Sequence, residues 1–181
     1  MKYGLTLFPT DYSIGPAELA REAERRGFES LWFPEHSHIP ARRESPWPGG
    51  PELPKMYYDV LEPFVALAAA AAVTTTIKLA TGICLVVQRD PIQLAKSVAT
   101  LDRVANGRFL FGIGAGWMQT DYDEAGIAYD RPGVRIERLG EALEIIRSMW
   151  ENERTTFRGK HYRIENIAQA APLPAGGRPK L

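Results

Sequence analysis

Two adjacent ionisable residues, Glu35 and His36, follow a short apolar segment, residues 29–33, that has the character of a strand. Histidine titrates near neutral pH, and a carboxylate beside it can orient the ring or hold it in its charged form. Successive side chains of an extended backbone point to opposite sides. We therefore expect one of the pair to face a pocket for acid–base chemistry and the other to brace it. We expect His38 on the loop surface.

A second candidate is segment 108–117, in which a short apolar run passes into Gly112, Gly114 and Gly116 and ends at Trp117. A strand end without side chains lets a flat ligand lie against the backbone. A plain strand end that runs into a turn explains the same glycines. Their spacing does not fit the dinucleotide fingerprint G-x-G-x-x-G.

Strand-like and helix-like segments alternate around these candidates. The predicted strands are residues 2–8, 29–33, 77–87 and 109–113, and the predicted helices are residues 16–26, 59–73, 92–104 and 135–150. Such alternation predicts a parallel sheet with helical crossovers. A β-hairpin is predicted from residues 155–157 and 161–164.

The loops after the strands favour a closed barrel over an open doubly wound sheet. Residues 34–58 and 114–132 form long loops after the second and fourth strands, whereas the turns after the helices are short. Such loops build the active site at one face of an α/β barrel. We expect Asp121, Asp123 and Glu124, which lie in the second of these loops, to be solvated charges or helix caps.

The length is short for a complete barrel. A full barrel needs about 250 residues, and this chain has 181. We therefore expect residues 1–181 to form a single domain, an incomplete, roughly half barrel that stops before its fifth strand. Open sheet edges would favour pairing with another chain, so a homodimer is expected.

Composition excludes several classes of function. Lysine plus arginine and aspartate plus glutamate both number 22, so no global basic field would attract nucleic acid. Residues 64–73 are the longest apolar stretch and are too short for a membrane span, and a secretion signal is not apparent at the start. The single cysteine, Cys84, excludes an internal disulfide and a cysteine–histidine zinc cluster. It is most simply a small core residue, and a cytoplasmic protein is expected.

Several motifs occur in a characteristic order. They are Trp-Phe-Pro-Glu-His (32–36), Ala-Thr-Gly-Ile-Cys-Leu (80–85) with Arg-Asp-Pro (89–91), Gly-Arg-Phe (107–109), Gly-Ile-Gly-Ala-Gly-Trp (112–117) and Phe-Arg-Gly-Lys-His-Tyr (157–162). Together they resemble the luciferase-like monooxygenase superfamily, and within it the probable oxidoreductases that use the deazaflavin coenzyme F420. The resemblance implies an α/β fold, the TIM (β/α)8 barrel, of which this chain would be the amino-terminal part.

The resemblance also implies roles for individual residues. His36 and Glu35 would be catalytic, with His36 near the cofactor ring, where it donates a proton or stabilises negative charge as hydride moves. Many relatives have a non-prolyl cis peptide bond behind the ring, and the matching pair here is Gly82–Ile83; an ordinary buried strand is the alternative. The implied cofactor-binding residues are Phe8, Gly82, Ile83, Cys84, Gly112, Gly114, Ala115, Gly116 and Trp117.

Two features bear on the cofactor and the substrate. Arg42, Arg43, Lys55 and Arg89 fall in loops of one rim and would attract the anionic tail of coenzyme F420, although solvated charges interspersed with Glu44 and Glu52 explain them equally well. In relatives that oxidise sugar phosphates a catalytic glutamate stands near the position of Trp117. The resemblance thus argues against a sugar-phosphate dehydrogenase.

The leading prediction is an oxidoreductase that transfers a hydride between reduced coenzyme F420 and a small organic substrate. The first alternative is an FMN-dependent monooxygenase that acts with oxygen. The second is a non-catalytic flavin-binding or truncated barrel protein. No metal ion is expected in any of them.

Overall fold

The computed structural model describes residues 1–41, 47 and 49–168. The strands are Gly4–Thr6 (β1), Ser30–Phe33 (β2), Lys78–Thr81 (β3), Cys84–Leu85 (β4), Phe109–Leu110 (β5), Ile113–Gly114 (β6), Arg154–Arg158 (β7) and Arg163–Ala168 (β8). The α-helices are Pro16–Arg25 (α1), Pro63–Ala71 (α2), Pro91–Val104 (α3), Gln119–Glu124 (α4) and Pro132–Glu151 (α5). Single turns of 3₁₀-helix occupy Lys55–Tyr57 and Val86–Gln88.

The centre of the fold is a parallel sheet of four strands in the order β1–β2–β3–β5. Strands β4 and β6 continue β3 and β5 as a separate parallel pair, with Cys84 opposite Ile113. Because every strand of the sheet runs in the same direction, the carboxyl ends of β2, β4 and β6 all face one rim. The predicted alternation of strands and helices around a parallel sheet is confirmed.

Helices α2 and α3 illustrate how the sequence sets the helix boundaries. Each begins with a proline, which has the backbone angle of a first helical residue and no N–H to leave unpaired. The Asp90 carboxylate caps α3 by accepting hydrogen bonds from the N–H groups of Ile92 and Gln93. The alanine-rich α2 buries Ala66, Ala70 and Ala71, among others, against its neighbours.

The third and fourth predicted strands are each interrupted in the structure. Residues 77–87 form β3 and β4, separated by the cis peptide bond between Gly82 and Ile83. The predicted cis bond at this pair is therefore confirmed. Residues 109–113 divide into β5 and β6 around Gly112, whose carbonyl accepts hydrogen bonds from Cys84 N–H and the Thr81 hydroxyl.

The antiparallel hairpin β7–β8 packs on α5 and confirms the predicted hairpin. Its turn is held by Glu141 of α5, whose carboxylate accepts hydrogen bonds from the N–H groups of Lys160, His161 and Tyr162. Within the described residues, no helix combines the length and the apolar character that crossing a bilayer requires.

Candidate active site at the carboxyl rim of the sheet

Glu35, which follows β2, has both carboxylate oxygens occupied. Oε1 accepts a hydrogen bond from Arg89 Nε at 2.7 Å and forms an ion pair with Arg89 Nη2 at 2.6 Å, and Oε2 accepts a hydrogen bond from Leu85 N–H at 2.9 Å. The Glu35 side chain is buried, and Arg89 also pairs with Glu62. The contacts of Glu35 are those of a brace between the β2 loop and the segment after β4. A catalytic role for it stays a prediction.

The next side chain, His36, occupies a different environment. Its side chain is 8% exposed, its ring centroid lies 5.2 Å from that of Tyr57, and its Nδ1 has no hydrogen-bond partner among the described residues. Burial, reinforced by the neighbouring His38, lowers the pKa of His36 from 6.5 to about 4. The ring is therefore neutral at pH 7 and can accept a proton at one nitrogen. Glu35 and His36 line the same small cavity, so the expectation that one faces a pocket while the other braces it stays a prediction.

The carboxylate that faces His36 belongs to Asp121 on α4. Its Oδ2 lies 3.9 Å from His36 Nδ1, and its side chain is 4% exposed. Burial raises the pKa of Asp121 from 3.8 to about 6. The expectation of a solvated charge at this position is wrong, since α4 turns the side chain inward beside the buried Tyr122.

The sequence analysis expects His38 on the loop surface, but the structure gives its ring two partners. Its Nε2 lies 2.8 Å from the Asp121 carbonyl oxygen, and its Nδ1 lies 2.8 Å from Ser37 Oγ. Because a carbonyl oxygen only accepts, His38 Nε2 carries the hydrogen. This bond ties the loop after β2 to α4 across 83 residues of sequence.

An aromatic wall stands beside His36. Tyr57 contacts Phe8 with ring centroids 4.6 Å apart, and it accepts a hydrogen bond from Trp47 Nε1 at 3.2 Å. Phe8, one of the predicted cofactor-binding residues, thus contacts Tyr57, which in turn contacts His36. A cavity of about 180 Å³ borders Glu35, His36, Glu62 and Arg89, among others. It is smaller than typical cofactor pockets, so a tricyclic ring would have to lie on the open rim instead.

The three rim glycines are accounted for by contacts within the chain. A Cβ atom at Gly112 would overlap the Thr81 carbonyl oxygen, and one at Gly114 would overlap Cδ1 of Ile83. Gly116 has a φ of 76° and lies against Tyr122, whose hydroxyl donates to the Ala115 carbonyl at 2.6 Å. The glycines thus make room for protein atoms. Direct contact of their backbone with a ligand stays a prediction.

Two large apolar side chains remain exposed at this rim. Ile83, which lies over Gly114, is 40% exposed, and Trp117, which follows β6, is 42% exposed. They offer apolar surface that a flat ring could cover, and His36 supplies a polar edge. By contrast, the Cys84 side chain lies in the core, and burial raises the pKa of its thiol, which keeps it protonated. Any contact of Cys84 with a cofactor would have to come from its backbone.

The predicted cation set does not form a free positive surface in the described part of the chain. Lys55 pairs with Asp59 at 2.7 Å, and Arg89 is held by Glu35 and Glu62. Arg42, Arg43 and Glu44 lie outside the described residues. Within residues 1–41, 47 and 49–168, no group of histidine, cysteine and acidic side chains has the arrangement of a metal site.

Comparison with known proteins identifies the fold. Residues 16–181 match the family described as Luciferase-like monooxygenase. The chain is 44% identical to an uncharacterised protein of Mycobacterium tuberculosis over 163 residues. The aligned region covers 88% of this chain and 57% of that protein. It is 30% identical over 153 residues to the F420-dependent glucose-6-phosphate dehydrogenase of Kineococcus radiotolerans, covering 83% of this chain and 41% of that protein.

A solved structure gives the same result at the level of the fold. The oxygenating constituent of 3,6-diketocamphane monooxygenase of Pseudomonas putida, in complex with FMN, superposes with a TM-score of 0.75 at 22% identity, over 99% of this chain and 50% of that chain. The parallel sheet and its helices are thus about half of a TIM-type α/β barrel. The chain belongs to the luciferase-like monooxygenase family, which confirms the resemblance, and it spans 57% of its mycobacterial relative.

Proposed function

We propose that this chain provides the part of an oxidoreductase site that contains His36. The complete site would transfer a hydride between reduced coenzyme F420 and a small organic substrate. The observation that carries the proposal is His36, a buried and neutral imidazole at the carboxyl rim. Within the part of the chain that the structure describes, its Nδ1 lacks a partner, although buried polar atoms nearly always have one. Perturbed titratable groups cluster at functional sites, and the carboxyl rim is where barrel enzymes place their catalytic residues, which supports the proposal.

The rim residues would have separate roles in binding and in chemistry. Ile83 and Trp117 would contact a flat ring through apolar surface, and Tyr57 would restrict access to His36. When bound, the deazaflavin would supply the hydride, and the protein would supply orientation and electrostatics. The neutral His36 ring would exchange the proton that accompanies the hydride, since its low pKa leaves a lone pair available at pH 7.

The name of the Kineococcus relative supports a deazaflavin, because that protein matches 83% of this chain. The cations of the described residues give no further support, since carboxylates neutralise Lys55 and Arg89. An FMN-dependent monooxygenase is therefore the second candidate, in line with the description of the family. A non-catalytic flavin-binding protein is the third.

Fluorescence titration of the purified chain with coenzyme F420 and, separately, with FMN tests this proposal. We expect micromolar binding of coenzyme F420 that weakens on His36→Ala. His161→Gln serves as the matched control, because His161 lies on the β7–β8 turn beside Glu137, far along the chain from the rim. Preference for FMN, with oxygen consumption when reduced FMN is supplied, would support the monooxygenase. Binding of neither cofactor would overturn the proposal for this chain.

A homodimer is a further proposal. Strands β1 and β5 are the two ends of the four-stranded sheet, and each has a strand neighbour within that sheet on only one side. Exposed edges of this kind pair readily with another chain. Size-exclusion chromatography with light scattering would give the mass, and a monomer at all concentrations would contradict the proposal.

A further inference from the structure

Asp121 is a buried carboxylate for which the motifs give no role. In residues 1–41, 47 and 49–168 its Oδ1 has no hydrogen-bond partner, and neither has Nδ1 of His36, the ring that the Asp121 carboxylate faces. Unsatisfied buried polar atoms on two facing residues are rare in a folded protein. The 3.9 Å gap between Oδ2 and Nδ1 closes to a hydrogen bond with a movement of about 1 Å.

The two residues are held near each other by contacts other than their own. His38 Nε2 donates to the carbonyl oxygen of Asp121 itself, and Ser37 Oγ lies 2.8 Å from the other nitrogen of His38. The loop that carries His36 is thereby fastened to the backbone of α4. Catalytic hydrogen bonds are often long in ligand-free structures and shorten when the site is filled, and this attachment keeps the pair within that reach.

The other roles open to Asp121 do not fit its surroundings. A solvated charge would not be 4% exposed. A helix cap would use its side chain to bond the backbone N–H groups of the first turn, whereas Oδ1 is unbonded and Met118, not Asp121, precedes α4.

We propose that Asp121 is a positioning residue for His36: its carboxylate accepts the hydrogen on His36 Nδ1 and so fixes the ring in the tautomer whose Nε2 carries the lone pair. The chemical use of that lone pair rests on the proposed function, in which His36 exchanges a proton. The preference for one tautomer rests on the geometry alone. An acidic partner that selects a histidine tautomer in this way is a common device of active sites.

The ionisation of the pair at neutral pH suits this arrangement. Asp121 has a pKa of about 6 and is an anion at pH 7.5, where His36 is neutral, so an acceptor faces a ring that carries one hydrogen. Among the described residues, the groups that act on the pair are His38 on the β2 loop, Glu124 on α4 and the Tyr57 ring on the 3₁₀-helix. Protonation of Asp121 turns its oxygen from an acceptor into a donor and reverses the preference.

Nitrogen-15 NMR of the histidine rings tests the inference, and the chain has only three histidines to assign. At pH 7.5 we expect His36 to be predominantly the Nδ1–H tautomer and to shift toward the Nε2–H tautomer as the pH falls through about 6. Asp121→Val, which cannot accept a hydrogen bond, should remove both the preference and the pH-dependent step. Asp123→Asn, an exposed carboxylate on the same helix, should leave the His36 signals unchanged.

The outcomes separate this inference from the proposed function. A wild-type His36 in the Nε2–H form, or an unchanged tautomer in Asp121→Val, would overturn the inference, even if coenzyme F420 binds. The predicted tautomer without binding of either cofactor would leave the inference standing and remove the proposed function. If Asp121→Val does not fold, the wild-type titration decides, because a tautomer that is constant from pH 8 to pH 5 would contradict the role of Asp121.

Discussion

Arg89 binds Glu35 through two guanidinium nitrogens, with Nε at 2.7 Å and Nη2 at 2.6 Å from Oε1. Because Glu35 is buried, a glutamine in its place would leave Arg89 without its charged partner and would turn an NH₂ donor toward either the guanidinium or the Leu85 N–H. We expect Glu35→Gln to lower the free energy of unfolding by about 2–3 kcal/mol.

Urea denaturation would measure this loss. Glu22→Gln removes an exposed ion pair with Arg25 and should cost less than about 0.5 kcal/mol. Equal effects of the two substitutions would mean that Glu35 is not a brace. A stable Glu35→Gln protein that binds cofactor but lacks activity would instead support the catalytic role predicted from the resemblance.

His36 and Asp121 should give opposite pH dependences of stability. Burial lowers the pKa of His36 to about 4, below its unfolded value near 6.5, so its contribution is present above pH 6.5 and is lost as the pH falls toward 4. Burial raises the pKa of Asp121 from 3.8 to about 6, so the stability linked to this group increases over nearly the same fall in pH. In the wild-type chain the two trends offset each other.

Single substitutions separate these trends. When the pH is lowered from about 7 to about 4.5, the free energy of unfolding of Asp121→Asn should fall by about 2–3 kcal/mol relative to that of the wild type. That of His36→Gln should rise by a similar amount relative to the wild type. Urea denaturation across this range provides the measurement, and carboxylates common to all three proteins cancel in the comparison. Parallel curves of the free energy of unfolding against pH for the three proteins would show that burial does not shift the pKa values of His36 and Asp121.

Glu24 should stabilise the fold through the turn before β3. Burial acts to raise the pKa of Glu24, but hydrogen bonds from the N–H groups of Ile77, Thr76 and Thr75 outweigh it and lower the pKa from 4.5 to about 2. Its contribution is therefore full above pH 4.5 and declines as the pH falls toward 2. We expect Glu24→Gln to cost about 1–2 kcal/mol at pH 7 and less at pH 3, measured by urea denaturation.

The control for this prediction is Glu153→Gln, which replaces an exposed glutamate in the turn after α5. It should change the free energy of unfolding by less than about 0.5 kcal/mol at either pH. A Glu24→Gln difference that stays constant from pH 7 to pH 3 would argue against ionised Glu24 as the source of the stabilisation.

The sequence predicted the parts of this structure that depend on local pattern. The alternation of apolar strands with proline-started helices determined the parallel sheet, and the family motif located the cis bond at Gly82–Ile83. The Asp121 contact was missed because Gln119–Glu124 is short and polar, and its inward direction depends on a loop 83 residues away. The available signal in the sequence was Met118, an apolar residue three positions before Asp121, since residues at that spacing lie on the same side of a helix.

Gly112 and Gly114 should respond differently to the same substitution. At Gly112 an added Cβ meets the Thr81 carbonyl oxygen, which is backbone, whereas at Gly114 it meets Cδ1 of Ile83, the end of a flexible side chain. We expect Gly112→Ala to destabilise the fold by about 2–3 kcal/mol and Gly114→Ala by less than about 1 kcal/mol.

Because Gly114→Ala displaces Ile83 at the rim, it should nevertheless weaken cofactor binding by about tenfold. Ile83→Val, which removes Cδ1, should restore much of that affinity in the double variant. Urea denaturation and fluorescence titration measure the two effects separately, and unchanged affinity in Gly114→Ala would place the cofactor away from Ile83.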